Sequence, residues 1–105
     1  MPFFIKTEKF NKETMCLASE ARKEYLSEHK DWIAKLKKSG KNIYSGYLVN
    51  TERKPGGGGV LIVESESFEE AKSLIVEDPM IKNNLVNWDI HELISVDGAI
   101  LKINY

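Results

Sequence analysis

The chain has one cysteine, two histidines and three prolines among its 105 residues, and the scarcity of the first two excludes particular classes of protein. Cys16 cannot form an intrachain disulfide, so the fold must depend on a hydrophobic core, and we expect a reducing compartment. Because Cys16 lies between Met15 and Leu17, we interpret it as a small buried hydrophobic residue. The histidines show no paired spacing, and we therefore expect no metal site.

Long apolar segments and an excess of one charge are also absent. No segment approaches the length needed to span a membrane, and no secretory signal pattern is seen at the start of the chain. Fifteen Lys and Arg residues against 16 Asp and Glu residues give a formal net charge of −1. This balance gives no electrostatic reason to bind nucleic acid or an anionic membrane. We expect a cytoplasmic protein with neither of these partners, and one domain spanning residues 1–105.

Hydrophobic periodicity and turn residues predict a mixed order of strands and helices. The predicted strands cover residues 3–8, 43–50, 60–64 and 86–96, and the predicted helices run from about Met15 to Ser39 and from Ser67 to Asp78. Gly40 supplies the stop for the first helix, and a capping box between Ser67 and Glu70 starts the second. The Asp97-Gly98 pair predicts a turn into a fifth strand at 99–104.

This order, β-α-β-β-α-β with an added C-terminal strand, predicts an α+β, ferredoxin-like antiparallel sheet with both helices on one face. Val60 to Val63 are all apolar, although successive strand residues face opposite sides of the sheet. Apolar surface left in water costs ~25 cal/mol per Å². A second subunit packed sheet to sheet would cover the face without helices, so we expect a homodimer, to which the C-terminal hairpin of residues 96–105 can contribute.

Four consecutive glycines, Gly56 to Gly59, invite comparison with a phosphate-binding loop. Such loops lead into a helix N-terminus, whose free N–H groups bind the anion. This run leads into a strand instead, and no Gly-Lys-Ser/Thr sequence follows. We interpret it as a flexible hairpin connection that can fold over a pocket.

A histidine interrupts the apolar face of the longer predicted helix. Steps of three and four residues define that face, which consists in order of Ala18, Ala21, Tyr25, His29, Trp32 and Leu36. A titratable group at a core position needs a buried partner or a chemical role. Asp78, before Pro79 at the end of the second helix, is a candidate partner.

Together, His29 and Asp78 describe a general acid–base pair, because a carboxylate orients the imidazole and fixes its tautomer. Each also has a structural interpretation, as a hydrogen-bonded core histidine and as helix termination. Arg22 is a candidate contact for an anionic substrate group, or a surface ion-pair partner of a glutamate. Tyr25 is a candidate hydrogen-bond donor to the same cavity, or a packed core residue.

The order and spacing of these segments resemble the YCII-related proteins of the dimeric α+β barrel superfamily over roughly residues 1–96. The matching segments are Glu28–Trp32, Lys38–Lys41, Ser45-Gly46, Gly58–Glu64, Ser67–Ala71 and Asp78-Pro79. The resemblance implies a homodimer with a cleft in each subunit, in which His29 and Asp78 match the pair proposed as the family's active site. It also makes Ser45 and Gly46 candidate substrate contacts.

One branch of the resembled family is linked to removing chloride from chlorinated hydroxyquinols without an organic cofactor. We do not transfer that substrate to this chain. From the His29 and Asp78 pair we expect a small-molecule enzyme that needs no cofactor and performs lyase- or isomerase-type proton transfer on a small organic acid, enol or aromatic metabolite. Two alternatives remain open. One is a non-catalytic dimer that binds or senses a small ligand, and the other is a monooxygenase-like member of the superfamily.

Overall fold

A computed structural model describes residues 1–98 as a four-stranded antiparallel sheet with helices packed on one face. The strands are β1 (Phe3–Phe10), β2 (Ile43–Val49), β3 (Pro55–Glu64) and β4 (Val86–Leu93). The helices are α1 (Lys12–Met15), α2 (Ser19–Lys38), α3 (Phe68–Ile75) and α4 (Pro79–Lys82). The strand order is β2-β3-β1-β4, with every neighbouring pair antiparallel. This confirms the predicted α+β, ferredoxin-like class.

The first predicted helix is in fact two helices separated by a turn. The Asn11 side chain caps α1 by accepting a hydrogen bond from the Thr14 N–H at 2.9 Å. The chain then leaves helical geometry at Ala18, whose ψ is 146°, before α2 begins. Cys16 lies in this turn and is exposed, so its interpretation as a buried hydrophobic residue is wrong. The turn places the side chain outside the apolar face that continues along α2.

The C-terminus of α2 forms the predicted glycine stop. Gly40 has a φ of +90°, in the left-handed region that favours glycine. Its N–H donates to the Lys37 carbonyl, and the Lys41 N–H donates to the Leu36 carbonyl, each at 3.0 Å. These two bonds form a Schellman motif, which satisfies carbonyl groups that the helix itself leaves without partners.

The glycine run is part of a strand, which corrects its interpretation as a flexible connection. β3 begins at Pro55; Gly58 pairs with Lys9 of β1, and Gly59 pairs with both Glu8 of β1 and Tyr47 of β2. The connection is shorter, with Arg53 at a φ of +64°. Pairing on both sides overrides the weak strand preference of glycine.

The second predicted helix also ends earlier than expected. The Ser67 hydroxyl oxygen accepts a hydrogen bond from the Glu70 N–H at 3.1 Å, so the predicted start is confirmed. α3 ends at Ile75, and Asp78 is the N-cap of the separate helix α4. At the C-terminal end, β4 stops at Leu93 rather than at residue 96. The predicted fifth strand at 99–104 lies outside the described residues.

The main core lies between the sheet and the helices. It consists of Phe4, Ile43, Leu61 and Val63 from the sheet and Ile33, Ala71 and Ile75 from α2 and α3. A smaller apolar cluster contains Met80, Leu85 and Val86, with Tyr25 of α2 packed against it. Because both clusters include α2, they fix this helix over the sheet. Within residues 1–98, no helix combines the length and apolar character that crossing a membrane requires.

The opposite face of the sheet carries an apolar patch and is not covered by helices. Alternation along the strands places Phe3, Ile5, Tyr44, Leu48 and Ile62 on this face. Tyr44 is 49% exposed and Leu48 is 56% exposed. Exposed apolar area of this kind on a sheet marks a surface suited to a protein interface.

Substitution of Gly40 tests whether α2 ends at this residue in the left-handed backbone conformation. Gly40→Ala should lower the free energy of unfolding by about 1 kcal/mol, because alanine is strained at positive φ. Gly56→Ala is the matched control, since a Cβ atom there also has open space but φ is not positive. Urea unfolding of the two variants measures the difference, and equal stability of the two would contradict the assignment.

Candidate active site

A cavity of about 1060 Å³ lies between α2 and the strands β1, β2 and β3. The residues that line it include Glu8, Arg22, Lys23, Leu26, His29, Lys30, Ser45, Gly46, Tyr47, Gly59 and Met80. One wall is the length of α2, and the glycines of β3 form part of the floor. A cavity of this size accommodates a small organic molecule.

His29 connects two polar groups at one wall of the cavity. Its Nδ1 atom lies 2.8 Å from Asp78 Oδ1, and its Nε2 atom lies 2.8 Å from Ser45 Oγ. An ionised carboxylate can only accept, so Nδ1 carries a proton. In the neutral ring, Nε2 then accepts a hydrogen bond from the Ser45 hydroxyl. The ring is therefore held in the tautomer whose basic nitrogen is on the side of Ser45, which lines the cavity.

Asp78 is fully buried and has a partner for each carboxylate oxygen. Oδ1 accepts from the Met80 N–H at 3.0 Å as well as from His29, and Oδ2 accepts from Lys6 Nζ at 2.7 Å. The bond to Met80 follows from the local sequence, because Asp78 is the N-cap of α4 and Pro79 occupies the first helical position. The helix start thus fixes the carboxylate that contacts His29.

The surroundings of Asp78 determine its charge. Burial on its own would raise the pKa of this carboxyl group. The hydrogen bond with His29 and the positive charge of Lys6 together outweigh burial and hold the pKa of Asp78 below its ordinary value of 3.8. Asp78 is therefore ionised at neutral pH and can stabilise a positive charge on His29.

Lys6 and Glu8 are site residues that the sequence reasoning missed. The Lys6 side chain is 0% exposed and its Nζ atom lies 2.7 Å from Glu8 Oε1 as well as 2.7 Å from Asp78. Both residues follow Phe4 at steps of two along β1, on the face that the helices cover. A lysine at a core position of a strand was the available signal, and it parallels the position of His29 in its helix.

The other predicted site residues are divided between the cavity and the core. Arg22, Ser45 and Gly46 line the cavity. Tyr25 does not. It packs against the cluster around Met80, because its position on α2 faces that cluster. This packing agrees with the structural interpretation of Tyr25, and its role as a hydrogen-bond donor to a substrate stays a prediction.

The charged residues around the cavity are mostly cations. α2 contributes Arg22, Lys23, Lys30 and Lys37, whereas Glu8 is the acidic residue of the lining. Lys23, Lys30 and Lys37 recur at steps of seven and therefore share a side of the helix, with Arg22 next to Lys23. Among residues 1–98, no three His, Cys, Asp or Glu side chains converge in a way that would hold a metal ion.

The pairing of Asp78 predicts a specific pH dependence of stability. Asp78→Asn should lower the free energy of unfolding by about 3 kcal/mol at pH 7, because the buried ammonium group of Lys6 loses one of its two carboxylates and His29 loses its charged acceptor. Since the folded pKa is below the unfolded one, the contribution of the carboxylate is complete above about pH 4 and is lost as the pH falls through the folded pKa. Urea unfolding at a series of pH values from about 7 to about 2 measures the free energy of unfolding of wild type and variant. The difference between the two free energies should become smaller below about pH 4.

Asp31→Asn is the matched control for this measurement, because Asp31 is exposed on α2. Its stability should follow that of the wild type over the whole pH range. A constant difference between wild type and Asp78→Asn down to the lowest pH would contradict the lowered pKa.

The chain was also compared with known proteins. The sequence model of the YCII-related domain matches residues 2–92, and no curated protein sequence matches the chain significantly. Among solved structures, 5-chloro-2-hydroxyhydroquinone dehydrochlorinase from Burkholderia phenoliruptrix, in complex with 2,5-dihydroxybenzoquinone, aligns with a TM-score of 0.65 and 23% sequence identity. The alignment covers 85% of this chain and 90% of the dehydrochlorinase. At this identity the likeness establishes the fold.

The match to the family spans most of the chain, from β1 through β4, and contains both His29 and Asp78. The resemblance seen in the sequence is thereby confirmed, and the chain belongs to the YCII-related domain family.

Proposed function

We propose that this protein is an enzyme that transfers protons on a small anionic substrate without a cofactor, with His29 as the general acid–base group. The observation that carries the proposal is the imidazole held between Asp78 and Ser45 at 2.8 Å on each side, at the wall of the cavity. A lone core histidine needs one hydrogen-bond partner. Here both ring nitrogens are engaged, and the second partner also lines the cavity.

The chemistry follows from the hydrogen bonds. In the neutral ring, Nε2 accepts a proton from the substrate, either directly or through the Ser45 hydroxyl. The resulting imidazolium is stabilised by the adjacent Asp78 carboxylate, which stays ionised. The same nitrogen then returns the proton to another atom of the substrate, or to a departing group in a lyase reaction. Asp78 acts as the orienting residue throughout.

The charges around the cavity support an anionic substrate. Arg22, Lys23 and Lys30 of α2 line the cavity and raise the local concentration of anions. They also stabilise the enolate that forms when a proton leaves an enol or a carbon acid. The structurally similar dehydrochlorinase was solved with 2,5-dihydroxybenzoquinone, which is an acidic enol of this kind. We extend this ligand class, small hydroxylated quinones and enols, to the present cavity.

We propose further that the working unit is a cytoplasmic homodimer joined through the face of the sheet that helices do not cover. Phe3, Ile5, Leu48 and Ile62 share that face, and leaving them in water is unfavourable. A second copy offers the same apolar surface, as a twofold interface requires. The single cysteine is compatible with the reducing cytoplasm.

The role of His29 is tested by measuring turnover. His29→Ala should lower the rate of chloride release from 5-chloro-2-hydroxyhydroquinone, or of keto–enol conversion of phenylpyruvate, by about 10²–10⁴-fold, the usual contribution of general acid–base catalysis. Glu52→Gln is the control, because Glu52 is exposed and does not line the cavity. Binding of 2,5-dihydroxybenzoquinone with no turnover of either compound by the wild type would favour the ligand-binding alternative, and oxygen uptake with quinols would favour the monooxygenase alternative.

The dimer is tested by light scattering coupled to size exclusion. The wild type should have twice the chain mass of 12.0 kDa. Leu48→Glu places a charge on the exposed apolar face and should shift the protein to the monomer mass. Leu26→Glu is the control, since Leu26 is 40% exposed on the helix side. A monomeric wild type at micromolar concentration would contradict the proposed interface.

A further inference from the structure

The buried ammonium group of Lys6 contacts two carboxylates, of which the proposed mechanism uses only one. Asp78 orients His29, but Glu8 has no role in that mechanism. Lys6 Nζ lies 2.7 Å from an oxygen of each carboxylate and its side chain is fully buried. A fully buried lysine needs one carboxylate to balance its charge. The second carboxylate therefore calls for a separate explanation.

Glu8 is accessible from the cavity even though most of its side chain is buried. The side chain is 11% exposed and lines the cavity. Its Oε1 atom is the one that contacts Lys6, and no partner is seen for Oε2 within residues 1–98. Every buried side-chain oxygen or nitrogen in that range has a partner, so Oε2 must be solvent-accessible. The carboxylate is held by one oxygen and presents the other to a ligand.

The sheet register separates Glu8 from the His29 side of the cavity. Glu8 is paired with Gly59, which is paired on its other side with Tyr47. In the next row, Lys6 and Ser45 flank Leu61 in the same way. The β1 backbone at Glu8 and the β2 backbone at Tyr47 are thus two strand spacings, about 9–10 Å, apart. A strip of sheet of this width has room above it for a single planar ring or a short conjugated chain.

The floor between the two sides is open because Gly59 has no side chain. A Cβ atom at Gly59 would lie 3.4 Å from Glu8 Cγ and 3.2 Å from the Gly46 carbonyl oxygen. Any larger residue would therefore push against Glu8 and occupy the floor. The glycine leaves room for a flat ligand with one end at Glu8 and the other at Ser45 and His29.

We propose that Glu8 is a second proton-transfer residue of this cavity, acting at the opposite end of the substrate from His29. This inference rests on the proposed function and deepens it. The Glu8 carboxylate takes a proton from a C–H or O–H group at one end, and the electron pair shifts through the conjugated substrate. His29, as the imidazolium beside Asp78, gives a proton to the atom at the other end. The substrate is isomerised without net oxidation, and both residues are reset by proton exchange with water.

The substrate class follows from this arrangement. It is a small, planar, conjugated anion with ionisable groups at two opposite ends, such as a hydroxyquinone or the enol of an aromatic keto acid. A ligand with a single ionisable end would engage His29 or Glu8 but not both.

The test measures exchange of the ring protons of 2,5-dihydroxybenzoquinone with D₂O by NMR. The wild type should accelerate exchange. Glu8→Gln should reduce that acceleration by about 10²-fold or more. A titration followed by absorbance should show that the variant still binds the probe. Glu8→Asp should recover part of the rate, because it restores a carboxylate.

Glu52→Gln is the matched control, since Glu52 also pairs with a lysine, Lys54, but on the surface. Its exchange rate should equal that of the wild type. A Glu8→Gln protein that is less stable but exchanges the probe at the wild-type rate per folded molecule would reduce Glu8 to a structural role and overturn the inference. Wild type that binds the probe without accelerating exchange would instead contradict the proposed function itself, and this inference with it.

Discussion

The buried positive charge of Lys6 is the constraint on which the arrangement of this cavity depends. Removing an ammonium group from water costs several kcal/mol unless carboxylates compensate for it. Asp78 provides that compensation at 2.7 Å, and Glu8 adds a second carboxylate at the same distance. Because Asp78 also contacts His29, the position of the imidazole follows from the same charge balance. The chain of contacts from Glu8 through Lys6 and Asp78 to His29 and Ser45 is therefore one electrostatic unit.

This unit is assembled from elements that are far apart in the sequence. Lys6 and Asp78 are separated by 72 residues, and His29 and Asp78 by 49. β1 supplies the ammonium group, α2 the imidazole, and the start of α4 the carboxylate. The two apolar clusters hold α2 and α4 against the sheet at a distance that allows these groups to meet. Packing of apolar side chains thus determines hydrogen-bond geometry in the cavity.

Much of the fold was predictable because local signals agreed with the tertiary structure. The Ser67 cap, the Gly40 stop and the alternation of the strands each have a local physical cause. The interrupted apolar row drew attention to His29 for the same reason, since a polar group at a core position requires a partner. The predictions that were wrong involve non-local effects. Gly58 and Gly59 lie in a strand because neighbouring strands pair with them, and the turn at Cys16 exposes a residue whose neighbours suggested burial.

The sequence by itself determined the order of the strands and the main helices, the helix stop at Gly40, the helix start at Ser67 and the presence of a titratable residue on the buried side of α2, because each depends on residues within a few turns of one another. Only the tertiary structure decided that Lys6 lies between Asp78 and Glu8, that Ser45 meets the second nitrogen of His29, and that Tyr25 faces the core rather than the cavity. These facts depend on sheet register and helix packing. A single residue of register shift would move every side chain of a strand to the other face.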